Sequence, residues 1–116
     1  MEDFYIDISG IQYPAELKNT VTAHIIYDHL PFIGNIQCSV DKIYFDVPLS
    51  IPSEDSKKNV LHIGDIVFSS KESTIAILLE DITITSQERV AVFARMIGDL
   101  SVLRDIKDGE VIYFTK

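Results

Sequence analysis

The stretch "STIAILLEDITIT" most narrows what this chain can fold into. Ile75, Ile77 and Leu79 recur with the two-residue period of a β-strand. The positions between them, Ala76 and Leu78, are small or apolar too. A strand apolar on both sides must be covered on both sides.

Other segments repeat the period in shorter pieces. "DFYIDI" alternates Phe4, Ile6 and Ile8 with polar or half-polar neighbours, and Ser9-Gly10 supplies a turn. "IQYPAEL" resumes the alternation, so the two pieces read as a hairpin. Pro14 has no N–H for a ladder, which places it on an edge strand or where pairing lapses. "NIQCSV" and "KIYFDVPLSI" read as two more strands, the second with Ile43, Phe45 and Val47 on one face. "IVFSS" follows a Gly64-Asp65 turn, and "VIYFT" is a last strand. "RVAVFARMIGD" is strand-like, with helix as an alternative, because periodicity cannot arbitrate a short apolar run. "NTVTAHIIYDHLPF" breaks the pattern. Val21, Ile25, Ile26 and Leu30 follow helical spacing, Asn19 or Thr20 can cap the start, and Pro31 stops the helix. "DLSVLRDIKDGE" suits a short helical turn and then a glycine turn. Pro52 to Asn59 is a polar loop, the segment expected to be most mobile. Seven or eight short strands with one good helix point to a mainly β barrel or sandwich, residues 1–116 forming one domain.

Composition excludes several function classes. The formal net charge is −8, from 10 Lys and Arg against 18 acids. Phosphate recognition needs a basic face, so no nucleic-acid partner is expected. No apolar run approaches the roughly 20 residues that span a bilayer, and the N-terminal "MEDFYIDISG" lacks the apolar core of a secretory signal. A single cysteine, Cys38, cannot form an intramolecular disulfide, which fits a reducing compartment. The expectation is a soluble, cytoplasmic protein with no membrane partner.

The residue patterns that carry chemistry are few. In "VLHIGDIVF", His62 and Asp65 could act as acid and base, but aspartate after a glycine more simply bonds the local backbone of a turn. His24 and His29 lie five apart and do not share a helix face, and no spacing typical of a metal site occurs. No nucleophile elbow surrounds a serine, and no glycine-rich phosphate loop exists. Cys38 has no adjacent cation to activate its thiol. Glu80-Asp81 mark a solvated turn. No catalytic residue, metal or cofactor is assigned.

Taken in order, "LPF", "KIYFDVPLSI", "VLHIGDIVF", "IAILL" and "RMIGDLSVLRDIKDGEVIYF" resemble the small prokaryotic cyclophilin-like proteins over nearly the whole chain. The resemblance implies a closed β-barrel of about eight strands with one or two capping helices. The chain also departs from that pattern. Ser39 stands where an aromatic precedes the "IYF" strand, and "SSKES" follows Phe68 where aromatic and Pro-Gly residues are usual. Leu78 to Glu80 replace "FFG", and Arg95 occupies the position of an asparagine. The true cyclophilins isomerise X-Pro bonds on the outer barrel face with an arginine near an F-x-x-x-x-P-x-F-x-x-Q-G-G run; that run is absent here, and there is no Trp. Fold does not carry activity over.

The expectation is therefore a non-enzymatic module binding a small molecule or a peptide segment. A divergent peptidyl-prolyl isomerase and a subunit-interaction module of a larger assembly are the alternatives. Phe45, Phe68, Phe93 and Arg95 are the expected ligand-lining residues. In a regular strand Arg95 shares a face with Phe93 and Ile97, where it needs a structural acid partner or a ligand carboxylate or carbonyl.

Overall fold

The computed structural model describes residues 3–50, 60–84 and 90–116. The polar segment Pro52 to Asn59 lies outside the described residues. In chain order the elements are β1 (Phe4–Ile8), β2 (Ile11–Leu17), α1 (Val21–Asp28), β3 (Phe32–Asn35), β4 (Gln37–Cys38), β5 (Lys42–Asp46) and β6 (Val60–Leu61). They continue with β7 (Asp65–Ser69), β8 (Thr74–Leu78), β9 (Ile82–Thr83), β10 (Val90–Met96), a 3-10 turn (Ser101–Asp105) and β11 (Val111–Thr115).

Nine strands form one antiparallel sheet in the order β3-β11-β1-β2-β10-β7-β8-β5-β4. Its two end strands, β3 and β4, are separated only by Ile36. They act as one bent strand that pairs with β11 on one side and β5 on the other, so the sheet curls into a nearly closed barrel. Counted together they leave eight strands around the barrel, nine less one. Closing the sheet removes the open edges that would otherwise invite pairing with other chains.

The period-two side chains meet inside. Ile6, Phe45, Phe68, Ile75, Phe93 and Phe114 belong to one buried cluster. Phe114 is central to it, with ring centroids 5.7 Å from Phe4 and 5.3 Å from Phe45. Gly34 on β3 is required by this packing, because a Cβ there would lie 2.7 Å from the Phe45 ring. Helix α1 adds Ala23 and Ile26 to the same cluster, and the 3-10 turn adds Leu103. The helix starts where the sequence places it: the Thr20 hydroxyl accepts the Ala23 N–H at 3.1 Å.

A second cluster lies on the outer surface of the barrel. Val67, Ala76 and Leu78 face outward from β7 and β8 and are covered by Leu61 and Ile84, with Ile82 packed alongside. The cover is a two-stranded ribbon, β6 paired with β9. Every residue of β8 is buried for this reason, as the two-faced apolar pattern of its sequence requires.

Some sequence expectations are corrected. "STIAILLEDITIT" is not one strand: β8 ends at Leu78, where the chain turns to build the ribbon. The Leu79 N–H bonds the Asp41 carbonyl at 2.8 Å, and the Asp81 carboxylate accepts the Ile63 N–H at 2.9 Å. In "KIYFDVPLSI" the strand ends at Asp46, and "NIQCSV" is not one strand: Asn35 ends β3 and Gln37–Cys38 form β4. Strand β2 is not an edge, but its pairing with β10 lapses at Pro14. The last ladder pair is Ala15 with Met96, and the Pro14 carbonyl, on the β10 side, accepts the Ile97 N–H at 3.0 Å. The missing proline N–H points the same way, past the end of that ladder.

Strand β10 carries the largest correction. A bulge between Val92 and Ala94 shifts its register against β7. Phe93 and Ala94 consequently both turn inward, and Arg95 turns out to solvent. Arg95 does not share a face with Phe93.

Candidate functional site

The Gly64-Asp65 turn is a local structure. Gly64 has φ of +88°, a conformation glycine adopts freely. The Asp65 carboxylate accepts the backbone N–H of His62 at 2.9 Å, and the Asp65 N–H donates to the His62 carbonyl at 3.0 Å. The His62 imidazole is exposed and points elsewhere, 3.7 Å from the Asp81 carboxylate. Asp65 thus joins the turn to β7, and its carboxylate does not meet the imidazole ring as an acid–base pair would require.

The three phenylalanines expected at a ligand site, Phe45, Phe68 and Phe93, are each no more than 1% exposed and pack within the barrel. Arg95 is on the opposite surface of the sheet, with Glu16 of β2 and Asp65 of β7 as its cross-strand neighbours. The structure therefore brings the phenylalanines together with one another but not with Arg95. Cys38 is exposed, and its thiol donates to the Ile106 carbonyl at 3.4 Å. Partial desolvation, then the nearby Asp108 and Glu110 carboxylates, hold the thiol above its ordinary pKa, so it is a poor nucleophile. Among the described residues no group of His, Cys, Asp and Glu side chains is gathered as a metal site, and no helix is long and apolar enough to cross a membrane.

One concave feature that can hold a ligand is on the outside of the barrel. A groove of about 480 Å³ runs along the outer surface of β8 beside the ribbon. Its geometry follows from strand pairing. Tyr44, Ala76, Val67 and Val92 form one outward row across β5, β8, β7 and β10. Ala76 is the smallest member of that row and is part of the groove lining. The next row, Asp46, Thr74 and Ser69, brings hydroxyls to the groove end nearer the β7–β8 turn.

Charge is arranged at the two ends of the groove. Lys71 and Glu72, in the β7–β8 turn, line one end. Asp41 and Lys42, at the start of β5, line the other. The Asp41 carboxylate accepts the Ser39 hydroxyl at 3.0 Å, and the Lys42 ammonium lies 5.5 Å from the centre of the Tyr44 ring. The side chains of Lys71 and Glu72 have no ion-pair partner among the described residues. Arg104 is not at the groove. It donates to the Leu79 carbonyl at 2.9 Å and to the Glu80 carboxylate at 3.2 Å.

These groove residues were missed in the sequence because nothing marks them as a motif. The available signal is positional: outward-facing Ser69, Thr74 and Ala76 are small residues in two strands whose other members are mostly bulky.

A family model described as Cyclophilin-like matches residues 2–115. The solution structure of the hypothetical protein AF2241 from Archaeoglobus fulgidus is similar in fold, with a TM-score of 0.75 and 22% sequence identity. That similarity covers 97% of this chain and 92% of the other. No curated protein matches the chain.

Proposed function

The chain belongs to the cyclophilin-like family, and from that premise we propose a non-enzymatic binding module whose ligand, a small molecule or peptide segment, occupies the outer-face groove along β8. The observation that carries this reading is the groove itself: a concavity of about 480 Å³ in which largely buried aliphatic side chains are rimmed by hydroxyls, with charged groups at both ends. Ligand sites combine such side chains with a few polar groups that fix orientation.

Prolyl isomerisation is supported less well. It needs an arginine beside a dry, proline-sized pocket. Among the described residues the arginines are Arg95 and Arg104, and neither lines the groove. The aliphatic side chains of the lining are already largely sealed by one another beneath the ribbon. A soluble carrier or sensor fits a chain of net charge −8 with no expected nucleic-acid partner.

The test is an amide chemical-shift screen of the protein against mixed small molecules and short peptides. Binders are expected to shift Val67, Ala76 and Ile82 together, and Thr83→Trp, which places bulk on an exposed groove-lining position, is expected to abolish those shifts. Shifts that map elsewhere and survive Thr83→Trp would overturn the reading. Isomerisation of an X-Pro peptide that rises linearly with protein would replace it with the enzymatic alternative.

A further inference from the structure

The distribution of charge along the groove points to a more specific occupant. We propose that the groove is built for a short extended peptide with free ends, its carboxylate at Lys71 and its ammonium at Asp41. The inference rests on the binding reading above and adds the class, length and orientation of the ligand.

Electrostatic balance is the first argument. The chain carries a formal charge of −8. Among the described residues the groove lining carries two lysines and two acids, Lys42 and Lys71 with Asp41 and Glu72, and their formal charges sum to zero. Among the described residues a polyanion would meet no arginine in the lining, and a simple cation would find no excess of negative charge there. Each end presents one charge of either sign, and with Lys42 held over the Tyr44 ring the acid Asp41 is left to meet an ammonium, so a zwitterion's carboxylate falls to Lys71.

Length is the second argument. The charged pairs sit beyond the two ends of β8, which has five residues. Its ends are about 13 Å apart at the rise of a strand. A free amino acid is too short to reach both pairs. An extended peptide of roughly four residues, at the same rise per residue, spans them. Ala76 lies midway along the lining, and the Ser69, Thr74 and Thr83 hydroxyls can serve the peptide backbone.

Orientation follows from the partners already made. Lys42 is placed over the Tyr44 ring, whereas Lys71 has no partner among the described residues. The unengaged ammonium of Lys71 is the better carboxylate anchor. At the far end Asp41 is fixed by the Ser39 hydroxyl and keeps further lone pairs for an ammonium group.

The experiment is an amide chemical-shift titration of the whole chain with tetra-alanine, using four forms: free, N-acetylated, C-amidated and blocked at both ends. Free tetra-alanine is expected to shift the Val67, Ala76 and Ile82 amides, and blocking both ends to weaken it about tenfold. Each charge contributes the few-fold effect of a partly exposed ion pair. Lys71→Gln is expected to weaken the free peptide about threefold and leave the amidated one unchanged. Asp41→Asn is expected to do the same for the free and N-acetylated forms. Equal binding of free and blocked peptides at the groove would overturn this inference and leave the binding reading standing. An absence of groove shifts with every peptide form would also overturn it. The binding reading would then stand or fall on small molecules and Thr83→Trp.

Discussion

Gly34→Ala probes the seam where the barrel closes. Gly34 lies in β3, opposite Ile112 of β11, and its Cα faces the Phe45 ring. An added Cβ would stand 2.7 Å from Phe45 Cδ2 and 3.4 Å from Phe45 Cβ and Cγ. The ring cannot swing away freely, because it is 1% exposed and packed 5.3 Å from the Phe114 ring. Overpacking of this kind costs about 1–3 kcal/mol. Alanine regains roughly 0.5–1 kcal/mol over glycine within a strand by restricting the unfolded chain. The net expectation is a loss of about 1–2 kcal/mol, a drop in Tm of roughly 4–8 °C for a domain of this size. Thermal unfolding followed by circular dichroism reads it, with urea denaturation as a second measure. Phe45→Leu supplies the control. Alone it destabilises by removing buried volume. Combined with Gly34→Ala it makes room for the methyl group, so the double variant is expected to be more stable than the sum of the two by about 1 kcal/mol. A Gly34→Ala protein that melts with the parent chain, or strict additivity in the double variant, would refute the contact as the reason for glycine.

Asp65→Ala is expected to cost about 1–3 kcal/mol, since it strips the His62 N–H of its acceptor in a part-buried turn, whereas Asp65→Asn keeps an acceptor oxygen and should lose less than half as much in urea unfolding. Thr20→Ala removes the cap on α1 and is expected to cost about 1 kcal/mol, which thermal unfolding also reads. Cys38 is expected to react with iodoacetamide more slowly than an unstructured cysteine near neutral pH, catching up only as the pH rises through its elevated pKa. Asp108→Asn removes one cause of that elevation and should speed the reaction at a fixed pH.

The barrel is legible in the sequence where local chemistry and tertiary context agree. The helix was legible because Thr20, the spacing of Ile25 and Ile26, and Pro31 act within one short segment. The covering of both faces of β8 was legible because Ala76 and Leu78 leave no polar side to that strand. The Gly64-Asp65 turn was legible for the same local reason. The ribbon was not, because the break after Leu78 is made by partners distant in sequence, the Asp41 carbonyl and the Ile63 N–H. Arg95 lies off the face that regular alternation predicts because a bulge inserts one residue into the alternation, and nothing in "RVAVFARM" announces it. The groove was illegible for a further reason. Its two charged ends belong to turns 30 residues apart, Asp41 and Lys71, and only the pairing of β5 with β8 and of β8 with β7 brings them to one surface.

Native mass spectrometry of the purified chain beside its Thr83→Trp variant tests the outer-face groove most directly. With a peptide or small molecule identified by the shift screen, the parent chain is expected to carry one ligand per chain, and the variant, equally folded by circular dichroism, to carry none. An adduct of the same stoichiometry retained by Thr83→Trp would contradict the placement of the site.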